Sequence, residues 1–219
     1  MTQSRSAGKA MAWLRKAMDR RPCLFSIILL LCALGSPLIV TGAGDRSDFT
    51  GQLLVATPEM RDPRFVETVI YLVKHGPQGA FGLVINRPVA KGPLEDLLKG
   101  LGLDSSGATG EIVIHYGGPV SPSAGFVLHS DDVMLKDSAK VADGIAMTSD
   151  PKLLEAVVRG QGPKQSLFIF GYAGWAPGQL EDELKAGSWF VVAGDKGLIF
   201  GKDADKKWQA ATDKRKIPL

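Results

Sequence analysis

Gly171-Tyr172-Ala173-Gly174-Trp175-Ala176-Pro177-Gly178-Gln179-Leu180-Glu181-Asp182-Glu183-Leu184 follows directly on the apolar run Ser166-Leu167-Phe168-Ile169-Phe170. The apolar run reads as a strand. Leu180 and Leu184, four residues apart, place one face of a following helix inward. A glycine-rich connection between strand and helix first suggests a phosphate cradle at a helix N-terminus. Glu181, Asp182 and Glu183 argue against it, because they already complement the helix dipole and would repel an added phosphate. With Pro177 suited to the first helical position, the stretch predicts a rigid strand-to-helix corner packed by Trp175 and Tyr172. Gln179 and Glu183 are its exposed, testable side.

Working outward, apolar runs of strand length bounded by turn residues dominate the chain. Gly51–Thr57 reads as a strand stopped by Pro58, and Asp62-Pro63-Arg64-Phe65 as a turn. Thr68–His75 is almost continuously apolar, the mark of a central strand covered on both faces. Gly76-Pro77-Gln78-Gly79 joins it as a hairpin to Ala80–Asn86, which Pro88 ends. Ile112–Tyr116, Gly125–His129 and a weaker Ala139–Met147 are further strands. Pro93–Lys99 has helical leucine spacing, and Ser149-Asp150-Pro151 opens a second helix that Gly160 closes. After a helix over Gln179–Ala186, Ser188–Ala193 and Gly197–Phe200 follow as apolar runs. Asp205–Lys214 is a short last helix anchored by Trp208. Turns too short for parallel crossovers predict an α+β domain with a mixed, mostly antiparallel sheet.

Charge divides the 219-residue chain unevenly. Six basic residues and one acid, Asp19, lie in residues 1–22, and residues 23–44 carry no charge. From Asp45 on, 20 basic residues face 22 acidic ones, so nucleic acid is not an expected partner. The basic, apolar, then small-residue order is that of a secretory signal. Cleavage after Ala43 or Gly44 would start the mature chain near Asp45. If uncleaved, residues 23–40 approach the roughly 20 apolar residues of a membrane anchor. The expected organisation is a signal peptide or anchor over 1–44 and one domain over 45–219. It places the domain in the periplasm or on the inner membrane, with a cytoplasmic protein from a mis-assigned start as the alternative. Both cysteines, Cys23 and Cys32, fall in the apolar segment, so the domain has no disulfide or thiolate metal site.

Several segments in order resemble the YqgE/AlgH family of bacterial proteins. They are Gly51–Pro58, Asp62-Pro63-Arg64-Phe65, Val69–Leu72 with His75, Gly79–Pro88, Gly117-Gly118-Pro119-Val120, Gly125–His129, Gly171–Trp175, Gln179-Leu180-Glu181 and Trp189. The resemblance spans Gly51 to Ala211. It implies a bifurcated sheet curled into a pseudo-barrel with a few peripheral helices, and no established enzyme activity. One family name derives from a proposed role in regulating alginate production. The chain departs from the family in its apolar N-terminal segment and at Ala124, where arginine is common.

No cofactor or metal is called for. The three histidines, His75, His115 and His129, lack ligand spacing with Asp131 or Asp132, and there is no HExxH. A GxSxG elbow and a P-loop are also absent. Asn86-Arg87 closes a strand where arginine could take an anion bidentately, or simply anchor a loop. Gly117-Gly118 could offer backbone N–H groups to an anion, or make a tight turn. Tyr172 and Trp175 could form a ligand platform or a packed corner. The run Lys206-Lys207 to Lys214-Arg215-Lys216, broken by Asp213, reads as a solvated tail.

These readings predict a non-catalytic binding or regulatory module for an unidentified small ligand or protein partner. Its expected cleft comprises Asn86, Arg87, Gly117, Gly118, His129, Tyr172, Trp175, Gln179 and Glu183. The alternatives are a hydrolase using His129 or His75 with a carboxylate, and a cytoplasmic transcriptional regulator.

Overall fold

The structure, a computed structural model, describes residues 48–215. The signal or anchor expected over 1–44 lies outside these residues. Among the described residues no helix is long and apolar enough to cross a membrane.

The strands are β1 (Leu53–Ala56), β2 (Val69–Gly76), β3 (Gly79–Val84), β4 (Pro88–Pro93), β5 (Glu111–Tyr116), β6 (Val120–Ser130), β7 (Ala139–Ala142), β8 (Ile145–Thr148), β9 (Ser166–Trp175) and β10 (Trp189–Val192). The helices are α1 (Leu94–Gly100), α2 (Lys152–Val158), α3 (Gln179–Lys185), α4 (Lys196–Phe200) and α5 (Ala204–Arg215). The main sheet runs β10-β1-β2-β3-β9-β6-β8-β7 and is antiparallel throughout that path. β5 adds a parallel pairing to β9 and carries β4 on its far side. The α+β, bifurcated, mostly antiparallel architecture is therefore present.

β9 is the fork. Its first half pairs with β5 through Ile114↔Phe168 to Tyr116↔Phe170, and its second half pairs with β3 through Gly82↔Ala173 to Ala80↔Trp175. Gly171, with φ of +77°, sits between the halves as an extra residue that few side chains would tolerate. It reverses the alternation of faces. Before it, Leu167 and Ile169 point to the inner cluster; after it, Tyr172 does, while Ala173 and Trp175 turn outward.

The inner cluster brings Leu53, Tyr71, Leu83, Leu128, Ile145, Ile169 and Phe190 together, so distant strands share one core and the sheet is curled. It does not close, because β10 and β7 each pair on one side only. Leu54, Ile70, Leu72 and Trp189 fill a second cluster on the outer face, beneath Leu180 of α3. This double burial accounts for the unbroken apolar run in β2. Leu97, Leu98, Leu154 and Phe170 form a third cluster under α1 and α2.

Several expected boundaries change. Gly171–Trp175 is the end of a ten-residue strand rather than a corner, and α3 begins at Gln179 after Gly178, with φ of +81°, so Pro177 lies ahead of the helix instead of at its first position. β4 begins and ends with proline, which only an edge strand accommodates because proline donates no ladder hydrogen bond. Ala139–Met147 is two strands folded at Asp143-Gly144, a turn pair favoured in hairpins. The run Gly197–Phe200 is helical, with Asp195 accepting the Leu198 N–H at 2.8 Å. Asp150 bonds the first turn of α2 as expected, taking the Lys152 N–H at 2.9 Å.

Candidate functional site

The sequence-predicted residues separate into two groups. Trp175, Gln179 and Glu183 come together; the others are structural. Glu183 Oε2 accepts the indole N–H groups of Trp175 (3.0 Å) and Trp189 (2.8 Å), while its Oε1 accepts from Gln179 Nε2 at 2.8 Å. Gln179 in turn accepts the Ala176 N–H at 3.1 Å, closing the start of α3. The two indoles meet edge-on, 6.2 Å between ring centres, and Phe65 meets Trp189 at 5.4 Å. Three donors on one carboxylate fix the rotamers of both tryptophans.

This lock borders a groove of about 720 Å³. Its far wall is the 59–65 loop, where Arg64 forks onto Asp62, and its near wall is Gly174 with Pro119 and Val120. The Arg64 hydrogen bonds hold the Asp62 carboxyl below the usual carboxylate range. None of the three histidines lines the groove.

The near wall exposes backbone. Val84 donates its N–H to Gly117 O, on the β9 side of β3, so the even-numbered residues of β3 turn their amides toward β9. Gly82↔Ala173 and Ala80↔Trp175 are therefore the hydrogen-bonded pairs. Gly174, between them, turns its N–H and C=O to the opposite edge. On that edge β6 pairs last at Val120↔Tyr172. Beyond Tyr172 no strand among the described residues pairs with this edge of β9, and Gly174 is exposed there.

The remaining expected residues do not reach this groove. Asn86 accepts from Val69 N at 3.0 Å and donates to Glu67 O at 2.9 Å, and Arg87 donates to Val66 O at 2.8 Å. Both anchor the segment before β2. Gly117 and Gly118 press on the β9 backbone; a Cβ on Gly118 would lie 2.2 Å from the Tyr172 carbonyl carbon. Tyr172 faces the inner core, 4.8 Å from the Phe81 ring, because strand alternation sends it opposite to Trp175.

His129 is fully buried, with Nδ1 donating to its neighbour Ser130 O at 2.9 Å. Asp132 accepts the Ser130 hydroxyl and the Lys164 N–H. His75 does pair with a carboxylate: Nε2 lies 3.4 Å from Glu181 Oε1, at an angle short of a hydrogen bond. Its Nδ1 accepts the Phe49 N–H at 3.3 Å, and the Phe49 ring packs against the imidazole. Among the described residues no three of His, Cys, Asp and Glu gather in a metal-holding group.

Sequence reasoning missed Lys207. Its ammonium is buried, donating to Ile85 O at 3.0 Å and Ile199 O at 2.7 Å. Burial pulls it down to about 8, and burial together with Lys207 pulls His115 down to about 4. The residue is the second of what reads as a solvated basic run. The signal was its neighbour Trp208, whose indole donates to Ala56 O at 2.8 Å and draws the helix onto the sheet.

A forked, curled, mostly antiparallel sheet with an open edge beside a tryptophan lock defines the structural class. The chain belongs to the AlgH-like (DUF179) family, whose sequence profile matches residues 53–219. It is 43% identical over 173 residues to a UPF0301 protein of Methylococcus capsulatus, covering 79% of this chain and 94% of that one. A UPF0301 protein of Afipia carboxidovorans is 42% identical over 177 residues, covering 77% and 84%. The solution structure of the AlgH protein from Pseudomonas aeruginosa superposes with a TM-score of 0.66 at 35% identity, over 80% of this chain and 93% of that one. A crystal structure from Corynebacterium diphtheriae, at 21% identity and a TM-score of 0.59, shares the fold over 78% of this chain and 87% of that one.

Proposed function

We propose that the chain is a non-catalytic binding module that takes a protein partner in the groove between the 59–65 loop and β9. The observation that carries this is Gly174, an exposed residue with N–H and C=O both turned out of the sheet into a groove floored by fixed tryptophans. An open strand edge is a template for an extended segment, whose main chain gives affinity and whose side chains enter neighbouring pockets. Arg61, exposed on the far wall, makes no ion pair or hydrogen bond among the described residues and adds a free cation. The burial of His129 and the covering of His75 by Phe49 favour binding over hydrolysis. The basic and then uncharged sequence ahead of Asp45 supports a domain exported or tethered on the far side of a membrane.

Photo-cross-linking in cells tests the groove. A benzophenone amino acid at Arg61 or Gln179 is expected to give one discrete adduct, absent when it replaces exposed Lys99 on α1. Equal labelling at all three positions overturns the reading. Fractionation with N-terminal sequencing tests the compartment: a mature start near Asp45 supports export, and a cytoplasmic chain that keeps Met1 contradicts it.

A further inference from the structure

A second cavity, of about 160 Å³, lies between α1, α2 and the sheet and shares no residue with the groove. Leu97 and Leu154 of the two helices, Val127 of β6, and Phe168 and Phe170 of β9 make its wall. It exists because of the same fork. Before the Gly171 reversal, Phe168 and Phe170 point outward, and β6 leaves β9 between Val120 and Gly125. Gly125 has no side chain to cover the Phe170 ring, which a Cβ there would touch at 3.5 Å.

Its volume and lining fix what fits. A dry apolar cavity of about 150 Å³ takes benzene. The rim is polar: Ser123, Ser149 and Asp150. Asp150 spends one carboxylate oxygen on the Lys152 N–H, and the other has no partner among the described residues. A carboxylate accepts but does not donate, and it repels anions.

We propose that this cavity binds a single six-membered aromatic ring carrying one hydrogen-bond donor. The ring lies between Leu97 and Leu154, and the donor meets the free oxygen of Asp150.

The test follows methyl resonances of Leu97, Val127 and Leu154 in the full chain during titration with phenol, toluene and benzoate. Phenol shifts all three saturably. Toluene binds roughly tenfold more weakly, the low end of what a hydrogen bond to a charged group supplies. Benzoate shifts none of them. Leu154→Trp fills the space and abolishes the phenol response; Leu97→Ala enlarges it and admits 2-naphthol, which the parent excludes. Three results overturn the proposal: methyls that ignore phenol, benzoate binding as tightly as phenol, or a phenol response that survives Leu154→Trp. Should that variant fail to fold, 2-naphthol binding no better to Leu97→Ala than to the parent overturns it instead.

Discussion

The Oε2 atom of Glu183 accepts the indole N–H of Trp189 at 2.8 Å, and the same atom takes that of Trp175 at 3.0 Å. One helical carboxylate thus ties together the ends of β9 and β10, strands that do not pair. Glu183→Ala leaves two part-buried indole donors without an acceptor, each worth about 1–3 kcal/mol. Urea denaturation should show a loss of about 2–4 kcal/mol, and Glu183→Gln, which keeps an acceptor oxygen, less than half of it. An alanine variant as stable as the parent would show that the lock adds nothing to stability.

Gly118 is where the chain leaves β5 against the β9 backbone. Its φ of +147° and the 2.2 Å approach of a Cβ to Tyr172 leave no room for alanine. Gly118→Ala is expected to cost upward of about 4 kcal/mol or to prevent folding. Gly92→Ala on β4, where a Cβ would meet nothing within 4 Å, should change stability by less than about 1 kcal/mol. Similar thermal midpoints for the two would contradict this packing.

Lys207 makes stability rise with alkali over a defined window. Folded, it loses its proton near pH 8; unfolded, near 10.5. Between those values the unfolded chain binds more protons, so stability increases with pH, by about 3 kcal/mol in all. The buried Tyr71 hydroxyl, raised by burial, opposes this above pH 10, so the comparison belongs between pH 7.5 and 9.5. Across that range the difference between the parent and Lys207→Met should move steadily in favour of the parent. Parallel curves would mean that the lysine titrates as if exposed.

His115 acts at the acid end. Its folded value of about 4 against 6.5 means that only the unfolded chain gains this proton on acidification through pH 6.5. Stability is therefore lost between pH 6.5 and 4, by about 3 kcal/mol. His115→Phe should flatten that slope. A His115 ring proton titrating near pH 6.5 in the folded protein would refute it.

Much of the fold was legible because burial on one or both faces leaves a plain mark, as in Val69–Leu72 and the Gly76–Gly79 hairpin. What was not legible shares a physical cause. The strand nature of Gly171–Trp175, the prolines of β4 and the burial of Lys207 are set by partners far along the chain: β3, β5, and the carbonyls of Ile85 and Ile199. The helix period placed Gln179 and Glu183 on one side of α3; Gln179 is exposed there, but Glu183 is half-buried, drawn in by the two indoles that the sequence alone does not bring together. His129 and Asn86 looked functional because polar residues near strand ends resemble a cleft; tertiary packing turned one inward and spent the other on backbone.

The indole N–H resonances of the full chain test the groove most directly. Trp175 and Trp189 report on the lock, while Trp208, bonded to Ala56 O and packed on the inner cluster, does not line the groove and is an internal reference. On adding unlabelled extract of the host cell to the isotope-labelled protein, the Trp175 and Trp189 signals should shift or broaden while Trp208 stays put. That response should vanish in Gly174→Pro, which removes the outward N–H from the open edge of β9. Trp175, Trp189 and Trp208 all unmoved, or Trp208 moving alone of these three, would contradict the groove as the binding site.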